Sequence, residues 1–187
     1  MMIVASPSEL TEKEFYHKHP KEWAGILPLS LDEAVYSFLL ANVIRDLRGD
    51  RLQPRTMMIN MSRFTKVQRY IKTHIEELYK YIYDSVNIDF SNDFVQNQHL
   101  DVFQKFLHIW EQHDSHIGIP VDKVLQKDTL LKAIEKIKIV VVNSSKDSDK
   151  LDYSGVNRVI AIGGLALSRG LTLKGLMTSY FYRNTAT

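Results

Sequence analysis

Six residues near the carboxy terminus have the types and spacing to grip a phosphate: Gly163, Gly164, Ser168, Arg169, Gly170 and Thr172. Glycine lets another backbone or a phosphate approach closely. The Ser168 and Thr172 hydroxyls could donate to phosphate oxygens, and the Arg169 guanidinium could make a bidentate contact. Whether such a loop would touch ATP or nucleic acid is not readable from the residues. The plainer alternative is a glycine-turned connection between strands, with Arg169 solvated or in an ion pair within the loop. A classical phosphate loop is absent: Gly170 and Gly175 have the right separation, but Leu176 and Met177 stand where lysine and a hydroxyl are required. No apolar strand ends in a paired Asp-Glu for magnesium. The chain alone is therefore not expected to hydrolyse ATP, and no residue is singled out as catalytic. Metal-ligand types cluster only at His108, Glu111, His113, Asp114 and His116. His113 and His116 would share a helix face, but the segment runs into Gly118 and Pro120, so a polar helix end is expected and no metal site. Asp84, Asp89 and Asp93 are too loosely spaced for a nuclease carboxylate set.

Two apolar runs position the glycine-rich segment. Arg158–Ile162 is β-branched and apolar, as in a strand buried on both faces of a parallel sheet. Met177–Tyr182 is the second run. A loop leaving the carboxyl end of a parallel strand is where open α/β sheets place ligand chemistry.

Residues 157–184 also carry a resemblance. Gly163-Gly164, Leu167-Ser168-Arg169-Gly170-Leu171-Thr172-Leu173, Gly175-Leu176 and Ser179-Tyr180-Phe181 together resemble the Z-one domain, a family named for endonuclease activity that travels with superfamily-two helicase-like ATPases. The Ser-Arg-Gly-Leu-Thr core is similar to the fifth helicase motif, found in the second RecA-like domain of those motors. The resemblance implies a RecA-like (P-loop NTPase-like), mainly parallel sheet flanked by helices. It implies DNA as the partner of the parent protein, and a first RecA-like domain in the same chain that holds most of the ATP and magnesium. It also implies a Gln-Met-Gly-Arg-Trp-Phe-Gly-Tyr-Arg box, which does not occur before Thr187, so a piece of a longer protein is expected. The endonuclease name finds no support in the residues. A non-catalytic interaction module and a metal-dependent nuclease domain are the competing expectations.

Composition sets the outer bounds. The 187 residues suit one domain, and a formal charge of +2 gives no strong overall pull toward nucleic acid or membrane. Zero cysteines exclude disulfides, thiolate metal sites and a cysteine nucleophile. With no signal peptide and no membrane span evident, a cytoplasmic location is expected.

Residues 1–29 lack a clean period and read as a connector, leaving 30–187 as a truncated second RecA-like domain. Ser30-Leu31-Asp32-Glu33 has the form of a capping box, predicting a helix over Leu31–Arg48 ended by Gly49. Arg55–Ser62 reads as a buried strand, with Met57, Met58 and Met61 in the core. A second helix is expected from Thr65 or Lys66 to about Tyr83. Residues of about 85–136 read as a helical insertion and a contact surface. In it Leu100–Trp110 and Val121–Lys136 are the helical patterns, and Phe103, Phe106, Leu107 and Trp110 should be buried. Ile137–Ser144 is the strongest strand signal. The order argues for parallel strands with helical crossovers.

Overall fold

A computed structural model describes the backbone of residues 2–4 and residues 21–142, 158–164 and 173–182. Helix α1, Leu29–Leu47, is the central element. It buries Leu31, Ala34, Val35, Phe38, Leu39 and Val43, and also Tyr36, Leu40 and Ile44, so its apolar surface extends round most of the helix. A helix of that kind belongs between layers, not on a surface. Its start corrects the capping-box expectation. Pro28 occupies the N-cap with extended backbone (φ −61°, ψ 136°), and no side chain caps the end. The Ser30 hydroxyl instead shares a hydrogen bond with the Tyr180 hydroxyl, 2.9 Å away. Proline before the first turn sets the helix start two residues earlier than Leu31, and a long-range partner takes the hydroxyl. The far end is as expected: Gly49 has φ +84°, and its N–H donates to the Asp46 carbonyl at 3.1 Å.

The sheet has five strands, all parallel, in the order β1-β5-β2-β4-β3: β1 is Met2–Val4, β2 Arg55–Asn60, β3 Ile137–Val142, β4 Arg158–Gly163 and β5 Leu176–Phe181. The chain is thus α/β, with the parallel sheet expected. Met2–Val4 pairs with Ser179–Phe181 at the outer edge, although the surrounding sequence shows no strand period. β2 is buried at every position, in keeping with its central place. Met57 and Met61 join the main core, and Met58 faces the other side.

Helix α2, Thr65–Ile88, runs five residues beyond the expected end at Tyr83. Ile82, Ser85 and Val86 are buried, so packing carries the helix through a stretch whose local polarity suggested a loop. The expected insertion holds α3 (Asp101–Ile109), a π turn (Trp110–Asp114), α4 (Val121–Val124) and α5 (Lys127–Ile134). Phe103, Phe106 and Trp110 are buried and Leu107 is half-buried. These side chains join the same core as α1 and α2, with the Tyr36 and Phe106 rings edge to face at 4.9 Å. The segment therefore covers the outer side of α1. Among the described residues, no helix is long and apolar enough to cross a membrane.

A buried ion cluster fixes the amino end of the sheet. Arg55 and Arg158 open β2 and β4 and are register partners. Both reach Asp46 near the end of α1: Arg55 Nη2 lies 2.7 Å from Oδ1 and Arg158 Nη2 lies 3.0 Å from Oδ2. Arg55 also donates to the Asn42 carbonyl at 2.8 Å and to the Asp50 carbonyl. Arg158 donates to the Lys132 and Ala133 carbonyls, both at 2.6 Å, in the last turn of α5. Asp46→Ala removes the shared anion and leaves two cations in a low-dielectric site. It is expected to cost about 3–5 kcal/mol, read from the urea midpoint; a loss below 1 kcal/mol contradicts this account.

Candidate functional site at the carboxyl rim of the sheet

Because the strands are parallel, β2, β4 and β5 end on one rim, with Asn60 in register with both Gly163 and Phe181. The chain leaves β2 through Met61, Ser62, Arg63 and Phe64 and enters α2. Ser62 organises this short turn: its hydroxyl accepts from the Phe64 N–H at 3.0 Å, and its carbonyl accepts from Gln68 Nε2 at 2.9 Å. Gln68 sits in the first turn of α2 and is buried, so the helix is tied to the turn that precedes it. Tyr182 N–H donates to the Asn60 carbonyl at 3.1 Å, continuing the β5–β2 pairing past the last strand residue.

Gly163 and Gly164 are both buried at the end of β4. A Cβ on Gly164 would lie 2.9 Å from the Ser62 carbonyl oxygen, 3.1 Å from Arg63 Cα and 3.2 Å from Gln68 Nε2. Only glycine allows the end of β4 to abut the β2–α2 turn this closely. Asn60 Nδ2 lies 3.5 Å from the Gly164 carbonyl, at the outer limit of a hydrogen bond. Ser168, Arg169, Gly170 and Thr172 lie outside the described residues, as does Arg183. Gly175, which closes the same loop in sequence, is at the opposite end of the sheet. It has φ +67°, a side chain there would overlap the Pro54 carbonyl, and its own carbonyl accepts from the Thr56 N–H at 2.8 Å. Its role is to launch β5.

The side chain that the rim presents to solvent is Arg63. It is exposed, with its guanidinium carbon 4.9 Å from the Phe64 ring centroid, a cation–π distance. The first turn of α2 beside it contains no acidic residue. Donors thus outnumber carboxylates on this face, as an anionic ligand requires. Sequence reading ended the strand at Ser62 and singled out neither Ser62 nor Arg63 as a ligand contact. The available signal was a hydroxyl and a cation between a buried strand and an amphipathic helix. Nearby, Tyr180 is buried and its pKa is pushed up to about 12, chiefly by burial and against the hydrogen bond from Ser30, so it is a neutral structural phenol.

His108 and His113 are exposed, and His108 Nε2 lies 2.9 Å from Gln112 Nε2. Among the described residues, no group of three or more histidines, cysteines and acids could hold a metal ion.

A family model described as the Z1 domain matches residues 30–187. No curated protein and no solved structure matches the chain.

Gly164→Ala is expected to destabilise the protein by about 1–3 kcal/mol, because the Ser62 turn must move to admit a methyl group. Thermal or urea unfolding reads the loss. Gly118→Ala serves as the contrast: nothing lies within 4 Å of its Cβ position, and its φ of +75° alone accounts for the cost.

Proposed function

The chain belongs to the Z1 domain family, and we propose that it serves as the second RecA-like domain of a helicase-like, nucleic-acid-dependent ATPase in a bacterial DNA-processing or restriction-type system. One observation carries this reading. The all-parallel sheet ends on a single rim, where the Ser62-Arg63 turn and the Gly163-Gly164 strand end are held against each other. Open parallel α/β sheets bind ligands outside the carboxyl ends of their strands, and this rim would form half of a site completed by a first RecA-like domain in the same protein.

The rim's own groups fit a phosphate and not a magnesium ion. Asn60, Ser62, Arg63 and Gly164 supply amide, hydroxyl, guanidinium and backbone groups and no carboxylate. Bound ATP with magnesium, held mainly by the first domain, would supply the phosphoryl chemistry. In this chain Gly163 and Gly164 set the spacing of the rim and Arg63 faces the anion. Ser168, Arg169, Gly170 and Thr172, which lie outside the described residues, are assigned by their types and spacing to contacts with nucleotide or the DNA backbone. Cleavage of DNA, the activity in the endonuclease name, is assigned to no residue here.

A second reading is a protein-interaction module. It draws on the exposed apolar side chains Tyr81, Ile88 and Val95 near the end of α2, which are 49%, 73% and 69% accessible. ATPase measured on the whole natural protein separates the two. Arg63→Ala and Arg169→Ala should each lower the DNA-stimulated rate about a hundredfold, as the loss of a charge-stabilising donor does, while the melting temperature stays within a degree or two. Full ATPase activity in both variants would sink the motor reading, and absence of ATPase from the wild-type protein would favour docking.

A further inference from the structure

The opposite end of the sheet carries a charge pattern that the rim does not explain. The connection from α1 to β2 contains Arg48 and Arg51, both exposed. Among the described residues neither takes part in an ion pair. Beside this connection lies a hollow of about 490 Å³ walled by Arg45, Gln53, Pro54, Lys174 and Gly175. Lys174 is exposed, and its backbone is pinned to β2 because its carbonyl accepts from Thr56 Oγ1 at 2.8 Å. Arg45 is held by Asp50, with Nε 2.6 Å from Oδ2. Behind the hollow, Arg55 and Arg158 share the single carboxylate of Asp46, and Glu135 adds a further attraction on Arg158. Asp46, Asp50 and Glu135 thus stand against six basic side chains among the described residues at this end. The whole chain is only +2, so this cluster is more positive than the chain as a whole.

We propose that this amino-end surface, formed by the Arg45–Pro54 connection and Lys174, binds the phosphodiester backbone of nucleic acid without reading sequence. The chemistry is that of a fixed cationic track. Arg48 and Arg51 are separated by three positions in a short connection anchored by the buried Arg55. Lys174 is anchored by Thr56, so the cations are presented from rigid positions. A polyanion with regularly repeated charge gains from such an array by releasing counterions. Among the described residues the exposed large apolar side chains at this end are aliphatic, Leu47, Leu52 (79% accessible) and Leu176 (45% accessible), and offer no ring for stacking bases. That composition suits backbone contact to a duplex better than capture of single-stranded bases. This surface goes beyond the rim reading and does not depend on it, because the two lie at opposite ends of strands six residues long, about 20 Å apart.

The test is equilibrium binding of a fluorescein-labelled 20-base-pair duplex to the chain without nucleotide, between 50 and 200 mM NaCl. Three phosphate contacts predict a loss of about 40-fold over that range. The double variant Arg48→Glu/Arg51→Glu, both positions exposed, should bind about tenfold more weakly at 50 mM and show a salt slope shallower by roughly two contacts. Lys174→Glu should give a smaller loss in the same direction. Arg63→Glu is measured alongside, and Lys105→Glu, an exposed charge reversal beside the start of α1, should leave this binding unchanged. Far-ultraviolet circular dichroism and the melting temperature confirm that each variant is folded. Undetectable duplex binding by the wild-type chain at 50 mM overturns the proposal. So does unchanged binding in the folded double variant, or a loss confined to Arg63→Glu, which would place the contact at the rim. Tighter binding of polyglutamate than of the duplex would also overturn it, assigning the surface to an acidic protein.

Discussion

One carboxylate holds four elements together. Asp46 near the end of α1 receives the first residues of β2 and β4, and Arg158 in turn binds the last carbonyls of α5. Neither arginine could sit at a buried strand end without it. Burial pushes the Arg158 pKa down and the neighbouring Arg55 adds to that, while Asp46 opposes both. The carbonyl acceptors matter as much as the charge. Asn42, Asp50, Lys132 and Ala133 offer backbone oxygens, which have free acceptor capacity at helix ends and in turns. Such clusters are weak evidence for net stability, since apolar replacements often do as well. What such a cluster contributes is specificity: a guanidinium fork fits its acceptors in one register, and the register of β2 on β4 follows.

That constraint divides the molecule into two chemically different ends. The amino end is built from guanidinium groups and a positive-φ glycine that lets Gly175 lie against Pro54. The carboxyl rim is built from amide, hydroxyl and backbone groups around Ser62. Between them runs α1, antiparallel to the strands in effect: its start meets Tyr180 through Ser30, and its end meets Arg55 and Arg158. Since both ends of one rigid helix are tied to the sheet, the separation between the two surfaces is fixed. Any coupling between them would have to move α1 against the sheet, through a core in which Leu31, Phe38 and Leu39 are fully buried.

Strands were the legible part of the sequence. The runs at Arg55, Ile137, Arg158 and Met177 each become a strand. In β2 and β4 the continuous apolar run reports burial on both faces, whereas β3 and β5 keep exposed or half-buried positions. Their parallel arrangement was expected from the order of helical patterns, strands and loops. What failed to show was anything set by partners distant in sequence. Ser30 looked like a cap, yet Tyr180 claims its hydroxyl across 150 positions. The last turn of α2, beyond Tyr83, looked polar, yet Ser85 and Val86 are buried there. Arg55 and Arg158 looked like strand boundaries, and no local pattern announces that both will meet Asp46. Strand order belongs in the same class, for β4 lies between β2 and β3 and only the three-dimensional pairing reveals it.

In the proposed site the glycine pair acts first by setting positions. Gly163 and Gly164 stand at the head of the segment whose residue types suggested phosphate binding, and the simplest reading gives them backbone contact with that phosphate. Their burial argues for a different division of labour. Gly164 has the Ser62 carbonyl, the Arg63 backbone and the Gln68 amide already against the position a side chain would take. What the missing side chain permits is the close seat of β4 on the β2–α2 turn. That seat fixes Ser62, and Ser62 fixes the turn that carries Arg63 into solvent. A mutation at Gly164 would then act on ligand binding only through the position of Arg63, changing geometry and stability together. A mutation at Arg63 would remove charge and leave the geometry in place. In the proposed site the charge is therefore carried by Arg63, and the glycines determine where that arginine stands.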